Sequence, residues 1–195
     1  FNFSDAYLFK AEVFLDSIRG EYYSGNHWFE TWAGKRDENV EMQSALDTMT
    51  IADSLSNFSI TGLAGEEITK DHPLFEGKPF VIQLFGSWCP NCYDESKYLN
   101  VINKEFGDKI TLLGAGFERV QGLEEAKAKL EKFRSGLAIN YTLAYGGPAV
   151  KDSAQAHFPF LDRVVAFPTL LFFNKDHELT AVHTGFTGPG TGKEY

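Results

Sequence analysis

A pair of cysteines at the start of a predicted helix constrains the fold more than any other feature of this sequence. Residues Phe80–Phe85 (FVIQLF) are mostly apolar and predict a buried strand. Cys89 and Cys92 follow within a few residues, and residues 92–106 have the apolar spacing of a helix. Side chains three residues apart share one helix face, so the two sulfurs can form a bridge. The sequence therefore predicts a strand, a Cys-x-x-Cys motif and a helix in immediate succession.

The position of the two cysteines predicts redox chemistry. A helix N-terminus carries a partial positive charge that stabilises a thiolate, which is the nucleophile in disulfide exchange. Pro90 fits the first helical turn, where its missing N–H has no partner to lose. We expect Cys89 to attack a disulfide and Cys92, one turn further in and more buried, to resolve the mixed disulfide.

Other uses of a cysteine pair are less well supported. A zinc site needs two further ligands, and no second cysteine pair or closely spaced histidine pair is present, so no metal is expected. A purely structural bridge across so short a loop adds little stability.

Alternating strand and helix signals over most of the chain predict an α/β fold with a layered sheet. A short hairpin is predicted at residues 58–60 and 66–68. Further strands are predicted at residues 109–117, 140–144, 169–173 and 178–184. Helices are predicted at residues 122–135 and 150–157.

The first 50 residues predict a β-rich extension that ends in a linker. Residues 1–35 contain a partial alternation of apolar and polar residues, which is typical of strands, and turn-forming residues at positions 24–27. An isolated hairpin is marginal in water, so the segment should pack on the rest, pair with another chain or belong to a domain whose start is missing. We interpret its aromatic side chains as one packed core face rather than a ligand site; they are Tyr22, Tyr23, Trp28 and Trp32.

Composition limits the partners. Lys and Arg total 18 against 27 Asp and Glu, and the net charge of −9 argues against nucleic acid or anionic lipid as the main partner. No apolar run approaches the roughly 20 residues of a membrane-spanning helix. The sequence starts at Phe1 without a signal peptide, so we expect it to be a piece of a longer protein.

The motif Trp88-Cys89-Pro90-Asn91-Cys92 after a strand resembles the thioredoxin superfamily, and more narrowly its TlpA-like (ResA-like) thiol-disulfide oxidoreductases of the bacterial cell envelope. The resemblance covers about residues 54–195. It implies a thioredoxin-like central mixed sheet flanked by helices, with a central αβ insertion between Cys92 and Pro168. It also implies that the redox domain, residues 54–195, stops before its last helix, and that residues 1–50 are the remnant of a preceding β-rich domain plus a linker.

The resemblance assigns roles to further residues. Glu95 matches a glutamate three residues after the second cysteine, which implies that it handles the proton of the resolving thiol. It shares a helix face with Cys89 and Cys92, whereas Asp94 does not. Glu118 falls where the group often has another acid and is the weakest candidate. Pro168 matches a cis proline that faces the dithiol. The expected substrate-binding residues are Trp88, Pro90, Phe167 and Pro168.

The expected function is that of a thiol-disulfide oxidoreductase acting on protein disulfides, most simply as a reductase in the periplasm or cell envelope. No organic cofactor is expected, because the dithiol itself carries two electrons. The expected partners are protein disulfides or dithiols and an upstream redox partner, with membrane contact only through a missing anchor. Two alternatives stay open: a peroxiredoxin-like thiol peroxidase, and a binding module in which the redox motif is incidental.

Overall fold

The computed structural model describes residues 7–24, 28–40, 57–120, 122–150 and 152–188. The chain divides into two compact units, Phe1–Met42 and Gln43–Tyr195. The predicted domain boundary at residues 50–54 lies outside the described residues, as do residues 189–195.

The first unit is a three-stranded antiparallel sheet in the order β1-β2-β3. Its strands are β1 (Tyr7–Val13), β2 (Ser17–Ser24) and β3 (Trp28–Lys35). The alternation predicted through residues 7–18 is interrupted by a turn, in which the Phe14 N–H donates to the Ser17 carbonyl oxygen at 2.8 Å. The predicted hairpin tip at residues 24–27 falls largely outside the described residues.

The interpretation of the four aromatic side chains as a packed core face does not hold for the side chains that the structure describes in this unit. None of them is buried: Tyr22, Tyr23 and Trp32 are half-buried, and Leu15 is 95% exposed. Taken by itself, this unit is a single layer of three strands, and a sheet buries its apolar face only against a second layer. The pattern predicted the strands correctly but not their burial.

The second unit contains a seven-stranded sheet in the order β10-β9-β6-β7-β8-β4-β5. Strands β6, β7 and β8 are parallel, and the other neighbouring pairs are antiparallel, so the sheet is mixed as predicted. A 3-10 turn at Pro73–Phe75 precedes β6. The strands are β4 (Ser59–Gly62), β5 (Glu67–Thr69), β6 (Phe80–Phe85), β7 (Thr111–Glu118), β8 (Thr142–Pro148), β9 (Thr169–Phe173) and β10 (Leu179–Thr184). The helices are α1 (Pro90–Phe106), α2 (Leu123–Leu137) and α3 (Ser153–His157).

The predicted central insertion is α2 and β8, and β8 joins the sheet beside β7. It extends to Pro148, four residues beyond the predicted end, because its parallel pairing with β7 continues to the pair Glu118 and Pro148. Helix α3 is shorter than predicted and begins at Ser153. The α/β fold class is confirmed.

Alternation along β6 determines which face of the sheet carries the dithiol. Phe80, Ile82 and Leu84 point into one core cluster. Phe85 belongs to the cluster on the other face, which contains both cysteines and Leu99 of α1. Helix α1 buries the stripe Cys92, Glu95, Ser96 and Leu99 against this face. The strand and the helix thus place the two cysteines at the edge of the hydrophobic core.

Candidate active site

The dithiol occupies the N-terminus of α1, as the sequence predicts. Cys89 is the N-cap residue, and its Sγ accepts a hydrogen bond from the Cys92 N–H at 3.4 Å. Pro90 takes the first helical position. Both thiols are free. Cys89 is 7% exposed and Cys92 is fully covered, so Cys89 is the more accessible residue of the pair.

The two thiols differ in acidity. The pKa of Cys89 is lowered from 9.0 to about 7, chiefly by a hydrogen bond from the Cys92 side chain. Burial opposes this, while backbone N–H groups of Cys92 and Asn91 and the charge of Arg119 add to it. The pKa of Cys92 is raised, first by burial and then by Cys89. Cys89 is therefore partly a thiolate at neutral pH, whereas Cys92 keeps its proton until a base removes it.

Glu95 lies one turn after Cys92 and is 1% exposed. Burial raises the pKa of its carboxyl from 4.5 to about 7, a hydrogen bond from Gln83 lowers it, and the charge of Cys89 raises it further. A carboxyl group that titrates near neutral pH can both accept and return a proton. Asp94 is half-buried and lies outside the buried stripe of the helix.

The loop before β9 faces the dithiol. The Phe167–Pro168 peptide bond is cis, and Pro168 is buried. The Phe167 carbonyl oxygen lies 3.6 Å from Cys89 Sγ across 78 residues of chain. The Gly185 N–H donates to the Pro168 carbonyl oxygen at 2.8 Å. Thr169 Oγ1 lies 2.7 Å from the Ala166 carbonyl oxygen, so the loop is braced on both sides.

Trp88 is fixed beside the sulfurs by three neighbours. Its Nε1–H donates to the Phe117 carbonyl oxygen at 2.9 Å, its ring contacts Phe167 edge-on, and the Arg119 guanidinium lies 3.9 Å from the ring centroid. Trp88 and Phe167 also line an adjoining, largely apolar cavity of about 490 Å³. Of the four predicted substrate-binding residues, Trp88, Pro90 and Phe167 are half-buried and Pro168 is buried.

Glu118, the weakest candidate, is 1% exposed rather than a solvated strand end. Its carboxylate accepts hydrogen bonds from the Ser87 N–H at 2.9 Å and the Ser87 hydroxyl at 2.8 Å. Burial raises the pKa of this carboxyl, and the two bonds from Ser87 oppose that rise. The Glu118 carboxylate therefore binds the loop that precedes Cys89.

Sequence reasoning missed a buried polar group behind Glu95. Gln83 Nε2–H donates to Glu95 Oε2 at 2.8 Å, and Gln83 Oε1 accepts from the hydroxyls of Ser96 and Tyr141. A polar residue in the middle of the apolar strand Phe80–Phe85 was the available signal, because an amide is buried only where it finds partners.

Two absences apply to the described part of the chain. It contains no group of three or more His, Cys, Asp or Glu side chains arranged to hold a metal ion. None of its helices is both long enough and apolar enough to cross a membrane.

Comparisons with known proteins agree with this site. No family model matches the chain. It is 27% identical to the thiol-disulfide oxidoreductase ResA of Bacillus thuringiensis over 136 residues, which are 67% of each chain. It is 30% identical to the thiol:disulfide interchange protein DsbE of Vibrio cholerae over 60 residues, 31% of this chain and only 33% of DsbE. The solved structure of a DsbF homologue from Corynebacterium diphtheriae matches with a TM-score of 0.56 at 22% identity, over 77% of this chain and 92% of that one.

A sheet of this topology with a Cys-x-x-Cys dithiol at the start of α1 is a thioredoxin-like fold. Over two thirds of its length the chain is similar to a thiol-disulfide oxidoreductase of the ResA kind, the group that its sequence resembles.

Proposed function

We propose that the protein reduces disulfide bonds of other proteins through its Cys89–Cys92 dithiol, in the periplasm or cell envelope. The observation that carries the proposal is the division of acidity between the two thiols. The pKa of Cys89 is about 7 and that of Cys92 is raised. Cys89 is therefore partly ionised and able to attack, whereas Cys92 remains protonated. The names of the ResA and DsbE relatives support the same class of reaction.

The reaction takes two exchange steps. The Cys89 thiolate attacks one sulfur of the substrate disulfide, forms a mixed disulfide, and releases the other substrate sulfur as a thiolate. Cys92 then loses its proton to the Glu95 carboxylate and its sulfur attacks Cys89, which releases the second substrate thiolate. The products are a reduced substrate and a Cys89–Cys92 disulfide. The two electrons come from the dithiol, so the reaction needs no organic cofactor.

The substrate is proposed to lie against the loop that faces Cys89. The Phe167 carbonyl oxygen lies beside the attacking sulfur, where it can accept a backbone N–H of the incoming polypeptide. The Trp88 ring contacts Phe167 on this loop, and Pro90 follows Cys89 directly in the chain. An upstream dithiol partner must reduce the bridge again after each turnover.

The acidity of Cys89 supports a reductase rather than an oxidant. Strong oxidants of this fold stabilise the thiolate until its pKa is about 3.5, whereas thioredoxin has a value near 7. The Cys89 pKa of about 7 matches the reducing end of that range. We expect a reduction potential closer to about −270 mV than to about −120 mV. A measured potential above roughly −150 mV would contradict the reductase role.

The proposed location rests on the resemblance to exported TlpA-like proteins, and an anchor outside this sequence is the proposed route to a membrane. Fractionation of cells that make the native gene product tests this proposal. Recovery of the protein with periplasmic or envelope markers is expected, and recovery with cytoplasmic markers would contradict it.

Reduction of insulin by the dithiol form tests the reaction itself. Cys89→Ser is expected to abolish reduction, and Cys92→Ser is expected to accumulate a mixed disulfide that mass spectrometry detects. Glu95→Gln should slow the resolving step, whereas Asp94→Asn removes an acid from another helix face and should not. Full insulin reduction by Cys89→Ser would contradict the mechanism.

A further inference from the structure

Gln83 is the one polar residue of β6, and its side chain is 1% exposed. An amide in a dry core costs free energy unless its groups are hydrogen-bonded. The structure gives it three partners. Its Nε2–H donates to Glu95 Oε2 at 2.8 Å, and its Oε1 accepts from Ser96 Oγ at 3.2 Å and from Tyr141 Oη at 3.1 Å.

The types of these partners set the direction of the amide. A hydroxyl can donate or accept, whereas an ionised carboxylate can only accept. With both hydroxyls donating to the Gln83 oxygen, the amide nitrogen is left facing Glu95. The network is therefore matched to the ionised carboxylate and opposes the effect of burial on Glu95.

We infer that Gln83 is a positioning residue whose amide, oriented by Ser96 and Tyr141, holds the Glu95 carboxylate where it receives the proton of Cys92. The inference rests on the proposed function, because it assigns Gln83 to the resolving step. In that step the Cys92 S–H bond breaks and its proton passes to Glu95. The Cys92 sulfur forms the bond to Cys89, and the substrate sulfur leaves with the electron pair of the broken bond.

Among the residues that the structure describes, Cys89, Cys92 and Tyr141 interact electrostatically with Glu95. Burial raises the pKa of Tyr141, so this phenol remains a neutral donor at working pH. The pKa of the Cys92 thiol is raised as well. In a mixed disulfide Cys89 carries no proton. Glu95 is then the group of this cluster that changes charge near pH 7.

The test measures how fast a mixed disulfide between Cys89 and glutathione resolves. The reduced protein is mixed rapidly with oxidised glutathione, quenched with acid, and followed by mass spectrometry across about pH 5.5 to 8.5. The pH profile of the wild-type protein should have a midpoint near 7. Gln83→Met keeps the length of the side chain but cannot donate to Glu95, and should shift the midpoint upward by about one pH unit.

Two further variants make the result decisive. In a Glu95→Gln background, Gln83→Met should cause no additional shift, because the carboxylate it acts on is gone. Tyr141→Phe keeps the buried ring and removes one of the two donors to the amide, so it should shift the midpoint upward by a smaller amount. This variant tests the network even if Gln83→Met does not fold.

The outcomes separate the two claims. If Gln83→Met and Tyr141→Phe slow resolution equally at every pH, Gln83 is merely structural and the inference is overturned, while the proposed reaction stands. If Glu95→Gln alone leaves the profile unchanged, the proton-accepting role of Glu95 fails and this inference fails with it.

Discussion

Glu118 and Ser87 are joined at two points: one carboxylate oxygen accepts the Ser87 N–H at 2.9 Å and the other accepts the Ser87 hydroxyl at 2.8 Å. Ser87 lies two residues before Cys89 in the loop between β6 and α1. Because β6 and β7 are parallel neighbours, the end of β7 lies beside the start of this loop. The carboxylate thus ties the segment before the attacking cysteine to the sheet.

This contact predicts that Glu118 holds the loop before Cys89 through its size and its hydrogen bonds, and that its negative charge is not required. Glu118→Leu leaves the Ser87 N–H without its acceptor and should cost about 1–3 kcal/mol of unfolding free energy, with a several-fold loss of insulin reduction. Glu118→Gln keeps a carbonyl oxygen that accepts the Ser87 N–H, and its amide N–H can donate to the Ser87 hydroxyl oxygen. This variant should therefore lose much less stability and activity. Urea unfolding and insulin turnover measure both effects. Equal damage by Gln and Leu would show that the charge matters.

Arg119 predicts a salt-sensitive contribution to the thiolate. Its guanidinium is stacked on Trp88, is exposed to solvent, and lowers the pKa of Cys89. Arg119→Ala should move the pH midpoint of Cys89 alkylation by iodoacetamide upward by less than about one unit, and the difference should shrink in about 1 M salt.

A matched control for this prediction lies at the other end of α1. Lys109→Ala removes the same charge beyond Phe106, and 17 helical residues separate the two ends by about 25 Å. It should leave the alkylation midpoint unchanged, and Arg119→Lys should retain most of the effect. An equal shift from Lys109→Ala would mean that net charge, rather than the position of Arg119, sets the acidity of Cys89.

Glu95 predicts a pH dependence of stability. The pKa of its carboxyl is about 7 in the folded protein, above the ordinary 4.5, so the native state binds the proton more tightly than the unfolded chain. The resulting stabilisation is complete below about pH 4.5 and is lost as the pH rises through 7, for a total of about 3 kcal/mol. Glu95→Gln carries no such proton and should remove this part of the slope.

Urea unfolding of the reduced protein between about pH 4.5 and 7 measures this slope. The difference between wild type and Glu95→Gln isolates the contribution of this carboxyl from that of Glu118, whose pKa is also raised. Parallel pH curves for the two proteins would contradict the raised pKa of Glu95.

The sequence predicted the helices and strands that have strong local signals. It did not predict the contacts between side chains that strand pairing brings together from distant parts of the chain. Strands β6 and β9 have their predicted bounds, because short apolar runs between turns define both. The positions of Cys89 and Cys92 also follow from local order, since a strand, a motif and a helix are consecutive. The contact from Glu118 to Ser87 depends on the pairing of β6 with β7, and no local pattern states it.

Burial was the least predictable property. Gln83 lies in an apolar strand that the sequence indicates clearly, yet its partners come from α1 and from Tyr141, 58 residues later. The first unit shows the converse, because Tyr22 and Trp32, interpreted as part of a packed core face, are only half-buried.

Gly86 predicts a steric limit on the position of Trp88. A Cβ atom at residue 86 would lie 2.5 Å from the indole, which cannot move away without losing the hydrogen bond to the Phe117 carbonyl oxygen. Gly86→Ala should therefore cost about 1–3 kcal/mol of unfolding free energy and lower insulin reduction. The cost should be smaller in a Trp88→Ala background, because the clash is then absent. Gly136→Ala, with nothing within 4 Å of its Cβ, should not destabilise the protein. An equal cost of Gly86→Ala in both backgrounds would show that the indole is not what excludes a side chain there.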